Sequence, residues 1–178
     1  GKADPTQVDR LGAKGAKLAE DFQQIRGLAD NSQGLIGVPD GFILATEVWR
    51  FFHQAGDRIP DSIFEHIEQE LGELELRTGR RFGDASGAMP LIVAVRGGAP
   101  VSLPGAISTI LNVGLNDDVV AALIRAGQDP AFVLTIYLTA IRMYGEVVLE
   151  IMYDRFFDVL KCLRVGVEGS MSVPMLYT

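Results

Sequence analysis

Leu91-Ile92-Val93-Ala94-Val95-Arg96-Gly97-Gly98-Ala99-Pro100-Val101-Ser102-Leu103-Pro104-Gly105-Ala106-Ile107-Ser108-Thr109 is the stretch on which the reading of this chain turns. Its first five residues are apolar and read as a buried strand. Arg96 ends that strand and opens onto a loop of glycines, prolines and hydroxyls, followed by Ile110-Leu111-Asn112-Val113-Gly114-Leu115. Backbone N–H groups, hydroxyls and one fixed guanidinium together suit a phosphate. The spacing matches neither the Walker A loop nor Gly-x-Gly-x-x-Gly. A Gly/Pro-rich loop behind a strand is also what an ordinary connection looks like, so the residues alone leave both readings open.

The surrounding composition narrows the choice. With 178 residues, 48% of them apolar, the chain can bury a sizeable core and reads as one domain over residues 1–178. Acidic residues number 23 against 16 basic ones, a net charge of −7. A polyanion would be repelled, and the pairs Arg80-Arg81 and Lys161/Arg164 are too small to offset this, so no nucleic-acid partner is expected. A small anionic ligand stays possible, because a few placed cations dominate a cleft. Cys162 is the single cysteine, so no intrachain disulfide forms; it reads as a buried structural thiol in a reducing compartment. No signal-peptide pattern opens the sequence. The longest apolar run, Ala131 to Ile141, is too short for a bilayer and is followed by Arg142 and Glu146. The expectation is a soluble cytoplasmic protein without a membrane partner.

Periodicity and punctuation supply the elements. Gly12 to Leu28 reads as a helix with Leu18, Phe22 and Ile25 on one face and Gly27 as its stop. A loop over Asn31 to Gly41 leads to a short strand, Phe42 to Ala45, and Thr46 then caps a helix to Gln54. Asp61 or Ser62 opens a helix to Thr78 with Ile63, Ile67, Leu71 and Leu74 inward, closed by Gly79. Asn116 caps a helix carrying Val119, Val120, Leu123 and Ile124, ending at Gly127. Asp129-Pro130 starts a helix expected to run to about Met152. Another spans Asp154 to Leu163, with Phe156, Phe157 and Leu160 at helical spacing. Two strands do not make a stable sheet, so further short strands are expected around Ser108 to Val113 and in the weakly patterned tail after Val165.

Three elements in order carry a resemblance. They are Leu11-Gly12-Ala13-Lys14-Gly15-Ala16-Lys17-Leu18, then Gly37-Val38-Pro39-Asp40-Gly41-Phe42, then the opening loop with Ile110 to Asp117. Together they resemble the N-terminal nucleotide-binding region of the pyruvate, phosphate dikinase family. That family reads Gly-Gly-Lys-Gly-Ala-Asn-Leu, Val-Pro-Pro-Gly-Phe and Val-Arg-Ser-Gly…Ser-Met-Pro-Gly-Met-Met-Asp-Thr. Thr78-Gly79-Arg80-Arg81-Phe82-Gly83-Asp84 and Arg142-Met143-Tyr144-Gly145-Glu146-Val147-Val148 fit it too, so the likeness covers about residues 8 to 160.

The run of helices with few strands gives an α+β (α/β-like) chain, helix-rich with a small sheet, and the resemblance implies that it forms the first part of an ATP-grasp-type nucleotide-binding domain. It implies ATP and Mg2+ as cofactors. In the family, phosphoryl groups pass from ATP to a histidine on a swivelling domain and then to pyruvate on a barrel domain. Carried over, the nucleotide-binding residues are Lys14, Arg96, Gly98, Ser102, Gly105 and Thr109. Lys14 supplies a point cation, Arg96 a bidentate fork, Gly105 room for close backbone approach, and Thr109 a hydroxyl. Taken without the family, Lys14 reads equally as a solvated helix-start lysine and Arg96 as half of a structural ion pair.

The departures bear on activity. The family's serine after the arginine is Gly97, its aspartate before the threonine is Ser108, and its arginine pair on the long helix is Leu138 and Thr139. Arg142 lies one turn on and replaces that pair only if the helix rotates. The family's metal ligands, phosphohistidine domain and barrel fall outside this stretch, so no catalytic residue and no metal ligand is assigned. His53 and His66 read as ordinary surface histidines, and Glu65, Glu68, Glu70, Glu73 and Glu75 as a solvated helix face. Two functions follow. One is the ATP-binding portion of a dikinase-like phosphotransferase, weak or inactive alone and completed by a partner chain or by the rest of a longer enzyme. The other is a non-catalytic interaction or regulatory module that keeps the fold and self-associates.

Overall fold

The computed structural model describes residues 3–28, 38–86, 89–99 and 109–165, without the side chains of 26–28 and 162–165. Its elements are α1 (Val8–Leu28), α2 (Glu47–Gln54), α3 (Asp61–Thr78), β1 (Val93–Arg96), β2 (Thr109–Val113), α4 (Asp117–Arg125), α5 (Pro130–Val147) and α6 (Tyr153–Val165). Among the described residues the two strands form one antiparallel sheet. Helices around a small sheet agree with the α+β expectation, and β2 lies where an extra strand was expected.

The core forms where α4 meets α5. Val119, Val120, Leu123 and Val133 are buried together, with Ala85, Leu115, Ile124 and Tyr137 packed around them. Both helix starts follow from their caps. Asn116 is extended, and its side-chain oxygen accepts from the Val119 N–H at 2.9 Å. Its amide also donates to the Gly83 carbonyl at 2.9 Å, tying α4 to the segment before β1. Asp129 accepts from the Ala131 N–H at 3.0 Å, with Pro130 in the first turn. The Tyr137 hydroxyl donates to Asp117 at 2.7 Å, locking α5 to the start of α4; that bond raises the phenol pKa.

The sheet is pinned to α5 by one polar side chain. Val93 pairs with Val113, but Val95 pairs with Ile110, so Leu111 and Asn112 together oppose Ala94. This is a bulge. Asn112 takes the left-handed backbone there, φ 59°, and its amide donates to the Ile136 carbonyl at 3.2 Å.

Several expectations are corrected. The run Leu91 to Val95 is not a wholly buried strand: pairing begins at Val93, and Val95 is 49% exposed. With one partner strand among the described residues, little lies over its outer face. Leu91 is buried instead, through a bridge to Phe82 and an N–H bond to the Arg81 carbonyl. Phe42 to Ala45 forms no strand. Thr46 does not cap α2: its backbone is already helical, and its hydroxyl donates to the Asp9 carbonyl at 2.6 Å. Helix α1 starts at Val8, passes Gly27, and buries the small Ala16 and Ala19 while Leu18 and Phe22 stay exposed. Of the four inward positions expected on α3, Leu74 is buried. Helix α5 stops at Val147 because the N–H groups of Val148 and Leu149 both turn back to the Tyr144 carbonyl and Glu150 is left-handed. The chain then folds α6 back so that the Phe156 ring occupies the space a side chain at Gly145 would need. Cys162 lies in α6, its side chain outside the described set, as is the tail after Val165.

Replacing Asn116→Ala removes both the cap and the tie to Gly83. The loss of unfolding free energy is expected to be about 1–2 kcal/mol, read from urea denaturation.

Candidate functional site

The site begins with a break in α1. Gly12 has φ 71° and ψ 159°, a backbone region that is essentially glycine-only. The helix restarts there, and the Ala13 N–H donates to the Ala99 carbonyl at 2.8 Å. A Cβ on Gly12 would sit 3.1 Å from the Ala99 nitrogen and 3.2 Å from the Gly98 Cα. The helix backbone therefore lies directly against the loop leaving β1. Two further bonds hold the preceding turn. The Thr46 N–H donates to the Arg10 carbonyl at 2.8 Å, and Arg10 pairs with Glu47 at 3.0 Å. Glu47's own backbone N–H, with Arg10 adding to it, holds that carboxyl below the usual carboxylate range.

This contact places two predicted residues around one space. Lys14 from α1 and Arg96 from the end of β1 line a cleft of about 410 Å3, with Ala13, Lys17, Leu18 and Asp21 completing its wall. The spacing 14, 17, 18, 21 is one helical face. Thr109 pairs with Arg96 in register. Opposed residues of an antiparallel pair project to the same sheet face with Cβ atoms ~4.5–5.5 Å apart. Thr109 is thus Arg96's immediate neighbour, and Gly98 borders the contact with Leu11 and Gly12. Ser102 and Gly105 lie outside the described residues.

Lys17 was missed by the sequence reading, although its i,i+3 relation to Lys14 was the available signal. Its ammonium sits 2.9 Å from Asp21 and 3.0 Å from Glu20. The Asp21 hydrogen bond, then that of Glu20, raises the Lys17 pKa. Among the described residues, three cations and one carboxylate face the cleft, in a chain whose net charge is −7. Such a local excess attracts an anion despite the overall charge.

The other candidates are committed elsewhere. Arg142 pairs with Glu146 at 3.4 Å, lies 5.5 Å over the Tyr153 ring and is not among the described residues lining the cleft. Thr139 donates its hydroxyl to the Thr135 carbonyl, and Leu138 is exposed. His53 contacts Asp57 at 2.5 Å and packs edge-on to Trp49, while His66 bonds the Ser62 carbonyl of its own helix. Among the described residues, no three His, Cys, Asp or Glu side chains group as metal ligands, and no helix is long and apolar enough to cross a membrane. The cleft's one carboxylate, Asp21, is already held by Lys17. Among the described residues that one carboxylate does not make a Mg2+ site by itself.

No protein-family model matches the chain. Individual relatives do. It is 38% identical over 158 residues to the pyruvate, phosphate dikinase of Rickettsia felis, covering 89% of this chain and 17% of the relative. The chain belongs to the pyruvate, phosphate dikinase family. Pyruvate, phosphate dikinase 1, chloroplastic, of Oryza sativa subsp. japonica is 38% identical over 161 residues, 90% of this chain and 16% of the relative. The Clostridium symbiosum enzyme is 34% identical over 154 residues, 86% and 16%. The chain thus spans about a sixth of the length of the curated relatives it matches.

Gly12→Ala tests the contact that builds the cleft. The strained backbone and the close loop together predict a loss of about 1–3 kcal/mol in urea unfolding. Rising amide exchange at Ala13 is expected with it, as the bond to Ala99 opens.

Proposed function

We propose that this dikinase-family chain forms the phosphate-contacting wall of a nucleotide site and binds MgATP weakly by itself. The observation that carries the reading is the meeting of Lys14 and Arg96 across one cleft, with Thr109 beside Arg96. Lys14 neutralises phosphate charge as a point cation, Arg96 grips oxygens with its planar fork, and Thr109 adds a hydroxyl donor. Ser102 and Gly105 are assigned to the same phosphates by the resemblance alone, and the whole is read as the first part of an ATP-grasp-type domain. Mg2+ would arrive with the nucleotide and neutralise phosphate charge.

Phosphoryl transfer depends on positioning plus charge neutralisation. The replacement of an arginine pair by Leu138 and Thr139 removes charge that transfer would use. Each charged hydrogen bond contributes ~1.5–3 kcal/mol. Association costs several kcal/mol in lost freedom, so affinity near millimolar is the balance. Transfer then requires the rest of a dikinase, whether joined in one polypeptide or supplied by a partner.

One observation favours the second reading, a self-associating module without catalysis. Leu134, Leu138 and Ile141 recur at helical spacing on α5, and all three are exposed. Apolar faces of this kind mark interaction surfaces when they are contiguous.

Calorimetric titration with MgATP separates the two. The nucleotide reading predicts saturable binding near millimolar, weakened roughly fivefold or more by Arg96→Ala and by Lys14→Ala. Absence of binding at several millimolar MgATP, combined with a concentration-dependent dimer in sedimentation that Leu138→Asp abolishes, would establish the second reading instead.

A further inference from the structure

We propose that Lys17 is a third phosphate-binding cation of this cleft and that Asp21 is its competitive holder. In the unliganded chain Asp21 and Glu20 retain the ammonium; when nucleotide enters, the ammonium passes to the phosphate oxygens. The inference rests on the nucleotide reading of the same cleft and extends it to a residue that reading does not use.

Three observations converge. Lys17 lines the same space as Lys14 and Arg96. It lies one turn beyond Lys14 on the same face of α1, so both ammonium groups reach one ligand. Finally, the Lys17 side chain is 62% exposed and tethered by ion pairs alone, so its four-carbon stem swings without repacking a core.

Asp21 gives the arrangement its direction. A carboxylate on the wall of a phosphate cleft repels the ligand and also competes with it for Lys17. Exposed pairs of this kind are weak, typically 0–1 kcal/mol, so a phosphate carrying several charges displaces them. Removing Lys17 and removing Asp21 therefore change affinity in opposite directions. An i,i+4 pair lying away from the ligand would leave affinity nearly unchanged on either substitution.

The test is calorimetric titration of the whole chain with MgATP and, separately, with inorganic pyrophosphate. Lys17→Asn should weaken both roughly three- to tenfold. Lys17→Arg should stay within about twofold of the unaltered chain, and Asp21→Asn should tighten both roughly two- to fivefold. Far-UV circular dichroism should be unchanged in all three, because both residues are exposed on α1. If Lys17→Asn or Asp21→Asn leaves affinity unchanged while Lys14→Ala and Arg96→Ala weaken it, this inference falls and the nucleotide reading stands. If the unaltered chain binds neither probe, both fall together.

Discussion

One backbone hydrogen bond, from Ala13 to the Ala99 carbonyl, sets the geometry on which the site depends. It exists because residue 12 is glycine: a side chain there would meet the Gly98-Ala99 backbone, and its φ/ψ would be strained. The bond fixes where α1 restarts, and the restart fixes which way Lys14, Lys17, Leu18 and Asp21 face. At the other side of the contact, the bulged pairing of β1 with β2 brings Arg96 opposite Thr109. Asn112 holds that bulge against α5, and α5 is anchored in the core by Val133 and Tyr137. A chain of contacts therefore runs from the α4–α5 core through the sheet to the cleft.

The electrostatics are local rather than global. An acidic chain holds a cationic cleft because Lys14, Lys17 and Arg96 converge while one carboxylate shares their wall. Elsewhere, charges meet in exposed pairs such as Arg10–Glu47, Arg77–Asp40 and Arg142–Glu146. Those pairs orient segments more than they stabilise them. Arg142 is held by Glu146 and the Tyr153 ring and is not among the described residues lining the cleft.

Much of the fold was legible because its signals are local. The Asn116 and Asp129-Pro130 caps, the α4 face of Val119, Val120 and Leu123, and the end of α3 at Gly79 all follow from short-range chemistry. What sequence reasoning missed depends on tertiary partners. Phe42 to Ala45 has strand composition, but its neighbour is α1, through Thr46 and through Ile43 against Gly15. The stop of α5 at Val147 has no glycine or proline to announce it; the return of α6 onto Gly145 requires it. Leu18 and Phe22 on α1 are exposed while Ala16 and Ala19 are buried, a reversal that apolar periodicity does not signal. Lys14 and Arg96 were named from the family motif and line one cleft, and Lys17 came into view beside them only when the helix face was seen against β1.

The central claim is that the α1 restart and the end of β1 form one anion site. Amide chemical shifts followed by NMR during a MgATP titration test it directly. The account predicts that the amides of Ala13 to Lys17 and of Arg96 to Ala99 shift together with a single common midpoint. Shifts confined to one of these segments, or two unrelated midpoints, would contradict it.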